Sequence, residues 1–252
     1  MSTMVTACLL IIGDEILSGR TQDANLAFVA KWLNKEGIVL REVRVIPDVE
    51  AVIVATVNEV RHKFDYVFTT GGIGPTHDDI TAGSVAKAFG VPLVFNEAAA
   101  AAIQARLQGP LNEGRKRMAM LPEGARLIGN VISGAPGFVL GNVHVMAGIP
   151  AVMQAMLESL SGTLKGGRPV RSAAIHVYAG ESFIAPTLSQ VQAASPDVTI
   201  GSYPFYSDDK YGASLVLRSA DPNALAAARA ALTAALKAAG FEPHDGEAPP
   251  HR

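Results

Sequence analysis

The residues best suited to chemistry lie in one stretch, Thr69-Thr70-Gly71-Gly72-Ile73-Gly74-Pro75-Thr76-His77-Asp78-Asp79-Ile80-Thr81. Glycines let the backbone approach a ligand and turn its N–H groups toward it, an arrangement that suits phosphate oxygens. The adjacent carboxylates Asp78 and Asp79 repel phosphate, and become compatible with it when a divalent cation lies between them. The stretch therefore predicts a phosphorylated ligand accompanied by a metal. Asp79, helped by Asp78, is the candidate catalytic and metal-holding group. Gly71, Gly72 and Gly74 are candidate backbone donors, with Thr70, Pro75 and the Thr76 hydroxyl beside them. His77 adjoins the acids and either touches phosphate or stays exposed, and Thr81 reads as a helix N-cap.

A second stretch of similar make-up, Gly13-Asp14-Glu15-Ile16-Leu17-Ser18-Gly19, also follows an apolar run. Within it Gly13, Asp14, Glu15 and Ser18 are candidate ligand contacts. Neither stretch supplies the lysine of a Gly-x-x-x-x-Gly-Lys-Ser/Thr phosphate loop. Gly72-x-Gly74 lacks the third glycine of a dinucleotide fingerprint.

These loops must be held by the elements on either side of them. Cys8–Ile12 and Tyr66–Thr70 read as buried strands, and Val39–Ile46 as a half-buried one. Helices are expected over Asn25–Asn34, Val49–Arg61, Thr81–Phe89 and residues 97–109, with a short basic one over 112–120. Gly37 and Gly90 act as stops. Arg115, Lys116 and Arg117 in the short helix form a basic cluster able to face an anionic ligand, with a solvated helix face the preferred reading. A strand begins at Arg126, a hairpin turns at Gly141-Asn142, and Ala151–Leu160 is helical. Pro136 and Gly137 shape a turn able to present backbone donors to a terminal phosphate. Strands alternating with helices argue for βαβ units and a largely parallel sheet, whose carboxyl ends are where ligands bind.

Residues 161–170 read as a linker. Beyond them, strands at Arg171–Tyr178, Thr199–Tyr203 and Ala213–Ser219 and helices at 182–194 and 222–239 give a β-α-β-β-α order. The expected division is thus a first domain over 4–163, a small α+β domain over 169–241, and a tail, 242–252, without order.

Of the 252 residues, 49% are hydrophobic, so core material is ample, and much of the excess is alanine. A net charge of −2 gives no electrostatic argument for nucleic acid or an anionic membrane as partner. The single cysteine, Cys8, rules out a disulfide within the chain. Trp32 reads as core. No apolar run approaches the roughly 18 residues of a membrane span, and the start lacks the basic region of a secretory signal. The expectation is a cytoplasmic protein.

Residues 70–81, preceded by Gly13–Gly19, resemble the molybdopterin-binding (MoCF) domain. The version they resemble is that of the competence/damage-inducible protein A (CinA) family. Ser133-Gly134-Ala135-Pro136-Gly137-Phe138 is similar to that family's Gly-Thr-Ala-Pro-Gly-Phe. Met146–Met153 is similar to its Pro-Gly-Val-Pro-x-Glu-Met. The resemblance covers residues 5–160, and more weakly the region beyond. It implies a three-layer α/β/α fold with a mostly parallel sheet. It also implies a nucleotide pyrophosphatase acting on ADP-ribose or a related dinucleotide with Mg, Mn or Co. Two alternatives stay open: adenylyl transfer to molybdopterin, and a module that binds a pterin or nucleotide without reacting. The family implies a homo-oligomer, dimeric or trimeric. Longer members carry a C-terminal deamidase domain, an activity this chain is expected to lack. Gly83 stands where the family commonly has an acid, and Val152 where it has glutamate.

Overall fold

The run Val5–Ile12 is apolar at successive positions, as suits a strand covered on both faces. In the computed structural model it forms β1, whose last six residues are all buried. The structure describes residues 4–106, 109–207 and 210–246. The chain divides into two compact units, Met1–Gly167 and Arg168–Arg252, and the break falls within the stretch read as a linker.

In the first unit β1 (Val5–Ile12) is followed by α1 (Asp14–Leu17), α2 (Asn25–Lys35), β2 (Ile38–Ile46), α3 (Glu50–Val60), β3 (Tyr66–Thr70) and α4 (Thr81–Phe89). Then come β4 (Leu93–Phe95), α5 (Glu97–Arg106), α6 (Glu113–Met118), β5 (Met120–Pro122), β6 (Arg126–Ile128), β7 (Gly137–Leu140), β8 (Val143–Met146) and α7 (Pro150–Glu158). Residues 107 and 108, in the stretch expected to extend α5, lie outside the described residues.

The main sheet has six strands in the order β2-β1-β3-β8-β7-β6. Pairings from β2 through β8 are parallel, and the β8-β7 hairpin and β6 add an antiparallel edge. One face packs against α3, α4 and α5 through Ile53, Val57, Val85 and Ile103. The other packs against α2 and α7 through Val29, Trp32, Met153 and Leu157. This is a three-layer α/β/α unit with a mostly parallel sheet. Cys8 is fully buried in it, and burial pushes its thiol up to about 11. Trp32 is buried and donates its ring N–H to the Ser161 hydroxyl. His144, on β8, is stacked on Phe68, and burial lowers its pKa to about 4.

The second unit runs β9 (Arg171–Val177), α8 (Glu181–Ala194), β10 (Thr199–Ser207), β11 (Lys210–Ser219), α9 (Pro222–Ala238) and β12 (Pro243–Asp245). Its sheet order, β10-β11-β9-β12, with every pairing antiparallel, is that of a split βαβ motif. Leu215, Leu217, Leu225 and Leu232 lead a core between the sheet and its two helices. Strand β12 corrects the expectation of an unordered tail from residue 242. Three residues are too few to show a period, and Pro243 argued against a strand, yet it is tolerated at a sheet edge. Residues 247–252 lie outside the described residues. The short pair β4 and β5 also escaped the sequence reading, for the same want of length.

Candidate functional site

The carboxyl ends of β1, β2, β3 and β8 lie side by side, and the four chain segments leaving them surround a cavity of about 530 Å³. From β3 come Gly71, Gly72, Ile73, Gly74, Pro75, Asp78 and Asp79; from β1, Glu15; from β2, Asp48; from β8, Ala147, Gly148 and Ile149. Strand order reverses at β1, which received β2 on one side and β3 on the other, so the cavity sits at the switch point of the sheet. Continuity past the strand ends is kept by two backbone bonds. Gly13 N–H donates to Ile46 O, and Gly71 N–H to Met146 O.

Gly71 and Gly72 have φ of 106° and 67°, a region that L side chains rarely adopt. A Cβ on Gly71 would strike the Ile12 carbonyl, and one on Gly72 the Thr81 hydroxyl. The loop is thereby pressed against the end of β1. Its return is fastened at Thr81, which is fully buried. The Thr81 N–H donates to Gly72 O at 3.0 Å, and its hydroxyl donates to Gly71 O at 3.1 Å. Ile80 takes the N-cap position of α4, so Thr81 acts as a latch on the loop instead of the expected cap.

Asp79 turns back on its own loop, accepting from the Thr76 N–H at 2.8 Å and from the Thr76 hydroxyl. Asp78 is exposed, and Thr76 together with its own backbone amide holds its carboxyl below the usual range. Glu15 folds back beneath Gly13, where a Cβ would meet its carboxylate. Asp14 is exposed, and its N–H donates to Asp48 Oδ2 at 3.0 Å.

Asp48 is the acid the sequence reading missed. Burial raises its pKa first, the Asp14 N–H opposes that, and the charges of Asp14, Glu15 and Asp78 raise it further. It follows Pro47 directly after β2 but does not cap α3, whose N-cap is Val49. An acid at a strand's carboxyl end on the edge already holding Asp14 and Asp78 was the available signal.

Seven of the expected ligand residues line the cavity: Glu15, Gly71, Gly72, Gly74, Pro75, Asp78 and Asp79. Others stand behind it. Gly13 is buried, and the Ser18 hydroxyl donates to Glu15 O. The buried Thr70 hydroxyl has no hydrogen-bond partner among the described residues. Thr76 is exposed and serves Asp79, and its neighbour His77 is exposed as well. Pro136 lines two smaller clefts, while Gly137 begins β7, where a Cβ would strike Val145 O; Ser133 and Ala135 reach the main cavity from the same segment. The remaining wall is apolar, built by Ile12, Met118, Val152 and Met156. Val152 thus presents a hydrocarbon surface to the cavity, and a Cβ added at Gly83 on α4 would meet nothing within 4 Å.

No lysine or arginine is among the described residues lining the cavity. The described residues contain no group of three or more His, Cys, Asp and Glu side chains arranged to hold an ion by themselves. Such a site can take the flat, apolar part of a ligand against Met118, Val152 and Met156 and its polar end against the glycine loop and the acids. None of the described helices is long and apolar enough to cross a membrane.

Residues 8–166 match the family described as "probable molybdopterin binding domain", and residues 169–245 match the one described as "FAD synthase, middle domain". A protein of Archaeoglobus fulgidus is 34% identical over 196 residues, which cover 78% of this chain and 84% of that one. One from Pyrobaculum calidifontis is 34% identical over 213 residues, covering 80% and 81%. Among solved structures, the protein CinA of unknown function from Thermoplasma acidophilum superposes with a TM-score of 0.59 at 33% identity, covering 63% of this chain and 98% of that one. With its glycine loop and acids at the strand edge where the matching segment lies, this chain belongs to the molybdopterin-binding domain family, as a CinA-like member.

Proposed function

We propose that the first unit binds a phosphate-bearing nucleotide or pterin in the cavity and hydrolyses a pyrophosphate linkage such as that of ADP-ribose. The observation that carries this reading is the meeting of the glycine loop with Glu15, Asp48, Asp78 and Asp79 around one cavity. Backbone amides suit phosphate, but four acids do not, unless a cation comes with the ligand. Magnesium is commonly held in this manner, by one or two carboxylates with phosphate oxygens completing its shell. The hard oxygen donors of Asp78 and Asp79, both lining the cavity, fit such an ion.

A divalent cation, when bound, supplies charge neutralisation at the phosphates. The chain's own contribution is then positional and protic. The glycine loop holds the phosphates, and the apolar wall of Met118, Val152 and Met156 orients the ring. Asp79, fixed by Thr76, keeps the loop in shape. Asp48, its pKa raised, is suited to take the proton from a water that attacks one phosphorus. The P–O–P bond breaks, and ADP-ribose with water gives AMP and ribose 5-phosphate.

The test is AMP release from ADP-ribose with Mg, Mn or Co, alongside binding of manganese–ADP followed by paramagnetic relaxation. Asp78→Asn and Asp79→Asn should each lower AMP release by about a hundredfold or more and weaken the manganese complex. AMP release at an undiminished rate in the double variant would sink the assignment. The bracing of Asp79 by Thr76 favours a second reading, binding of molybdopterin or a nucleotide without turnover. Tight binding with no product under any of the three metals would establish that one.

A further inference from the structure

The cavity has an excess of acid and no basic side chain among the described residues that line it, yet the basic helix α6 contributes Met118 to that lining. Helix α6 packs on the glycine loop through Pro75, to which Gly114 is close enough that a Cβ there would lie 3.2 Å from Pro75 Cβ. Its three basic residues are differently engaged. Arg115 donates to Gly109 O and Pro110 O at 3.2 and 3.0 Å, and Lys116 pairs with Glu113 at 2.8 Å. Arg117 makes a single 3.4 Å bond to Pro75 O, and no carboxylate among the described residues lies within ion-pair distance of it.

Arg117 is exposed, and it lines a narrow cleft that shares Ile73, Gly74, Asp79 and Met118 with the main cavity. Met118, the next residue, and Pro75, which accepts from the Arg117 guanidinium, both line the main cavity as well. A guanidinium so lightly held, at the rim of a site with no cation of its own, is free to change partners. Its planar set of donors matches two phosphate oxygens at once.

We propose that Arg117 leaves the Pro75 carbonyl and binds the phosphates of a pyrophosphate-bearing ligand, supplying the positive charge that the cavity lining lacks. This rests on the reading of the cavity as a phosphate site. It takes up the ligand-facing alternative for a residue whose sequence context favoured a solvated helix face. Arg117 then acts from the helix side while the glycine amides act from the strand side, so the diphosphate is gripped between them.

The experiment is calorimetric titration of the full chain with ADP and with adenosine, in magnesium, at two ionic strengths. Arg117→Ala should weaken ADP binding about tenfold or more, the loss expected of a hydrogen bond to a charged group, and leave adenosine unchanged. It should also flatten the salt dependence of ADP binding. Arg117→Lys should keep part of the affinity. Arg117→Gln, which can still donate to Pro75 O but carries no charge, should behave as Arg117→Ala does. Unchanged ADP affinity in both uncharged variants overturns the proposal. So does an equal loss for ADP and adenosine, which would mark Arg117 as a brace for the loop. A native chain that binds neither compound overturns the phosphate-site reading itself, and this proposal with it.

Discussion

The two units are built from similar materials and place their loops differently. In the first, β1, β2, β3 and β8 run parallel, so the segments that leave them emerge at one edge and converge. In the second, every pairing is antiparallel: β9 and β10 end at one edge and β11 and β12 at the other, so the segments leaving the strands are divided between two edges. Parallel pairing costs a crossover helix for each strand. In return it brings Glu15, Asp48, Gly71 and Gly148, far apart in the chain, to one cavity. Strand direction, more than composition, decides which unit carries the candidate site.

The comparison can be broken at the point where the first unit is tightest. Gly71→Val places a branched side chain at φ 106° and against the Ile12 carbonyl. The strain and overpacking together should cost about 4 kcal/mol. Thermal unfolding of the first unit should move down sharply, and ADP binding should be lost. A variant that melts normally would show that the loop is not held against β1 as described.

A comparable lesion in the second unit sharpens the contrast. Leu215 is fully buried between the sheet and its helices, so Leu215→Ala should destabilise that unit by about 3 kcal/mol. ADP affinity, which the proposed function assigns to the first unit, should be unchanged. Loss of that affinity would mean that the second unit takes part in forming the site.

Acid provides a third, smaller lever, because the buried imidazole belongs to the first unit. His144 has its pKa lowered to about 4 by burial, while in the unfolded chain it titrates near the ordinary 6.5. Between these values the unfolded state binds the extra proton, so stability is full above 6.5 and falls as pH drops toward 4. The loss approaches about 3 kcal/mol at most. Denaturant midpoints measured from pH 7 to 4 should show it, and His144→Phe should flatten the slope. A slope that persists in the variant would assign it to other groups.

Much of this was legible in the sequence wherever a local pattern coincided with a tertiary need. The loop from Gly71 to Thr81 announced itself because a positive φ leaves a visible residue, glycine. The hairpin at Gly141-Asn142 did so because its turn chemistry is local. Asp48 stayed hidden because its role depends on β2 lying beside β1, a pairing between positions more than thirty residues apart that no local period reports. The apolar wall was hidden for a related reason: Met118 and Met156 look like any core residue until the strand order makes them neighbours of the glycine loop. Thr81 shows a third kind of gap, since a threonine at a helix start suits a cap and a loop latch equally well, and only the partner, Gly71 O, distinguishes them.

Burial of the sole thiol has a practical consequence. Cys8 and Trp32 are the only cysteine and the only tryptophan of the chain, and both lie in the core of the first unit. Thiol-reactive dyes should therefore label at a rate set by opening of that unit, and tryptophan fluorescence should follow the same event. Both signals are blind to melting of the second unit, which circular dichroism would still record. The chain thus carries a natural pair of reporters that can separate the stabilities of its two halves without any added label.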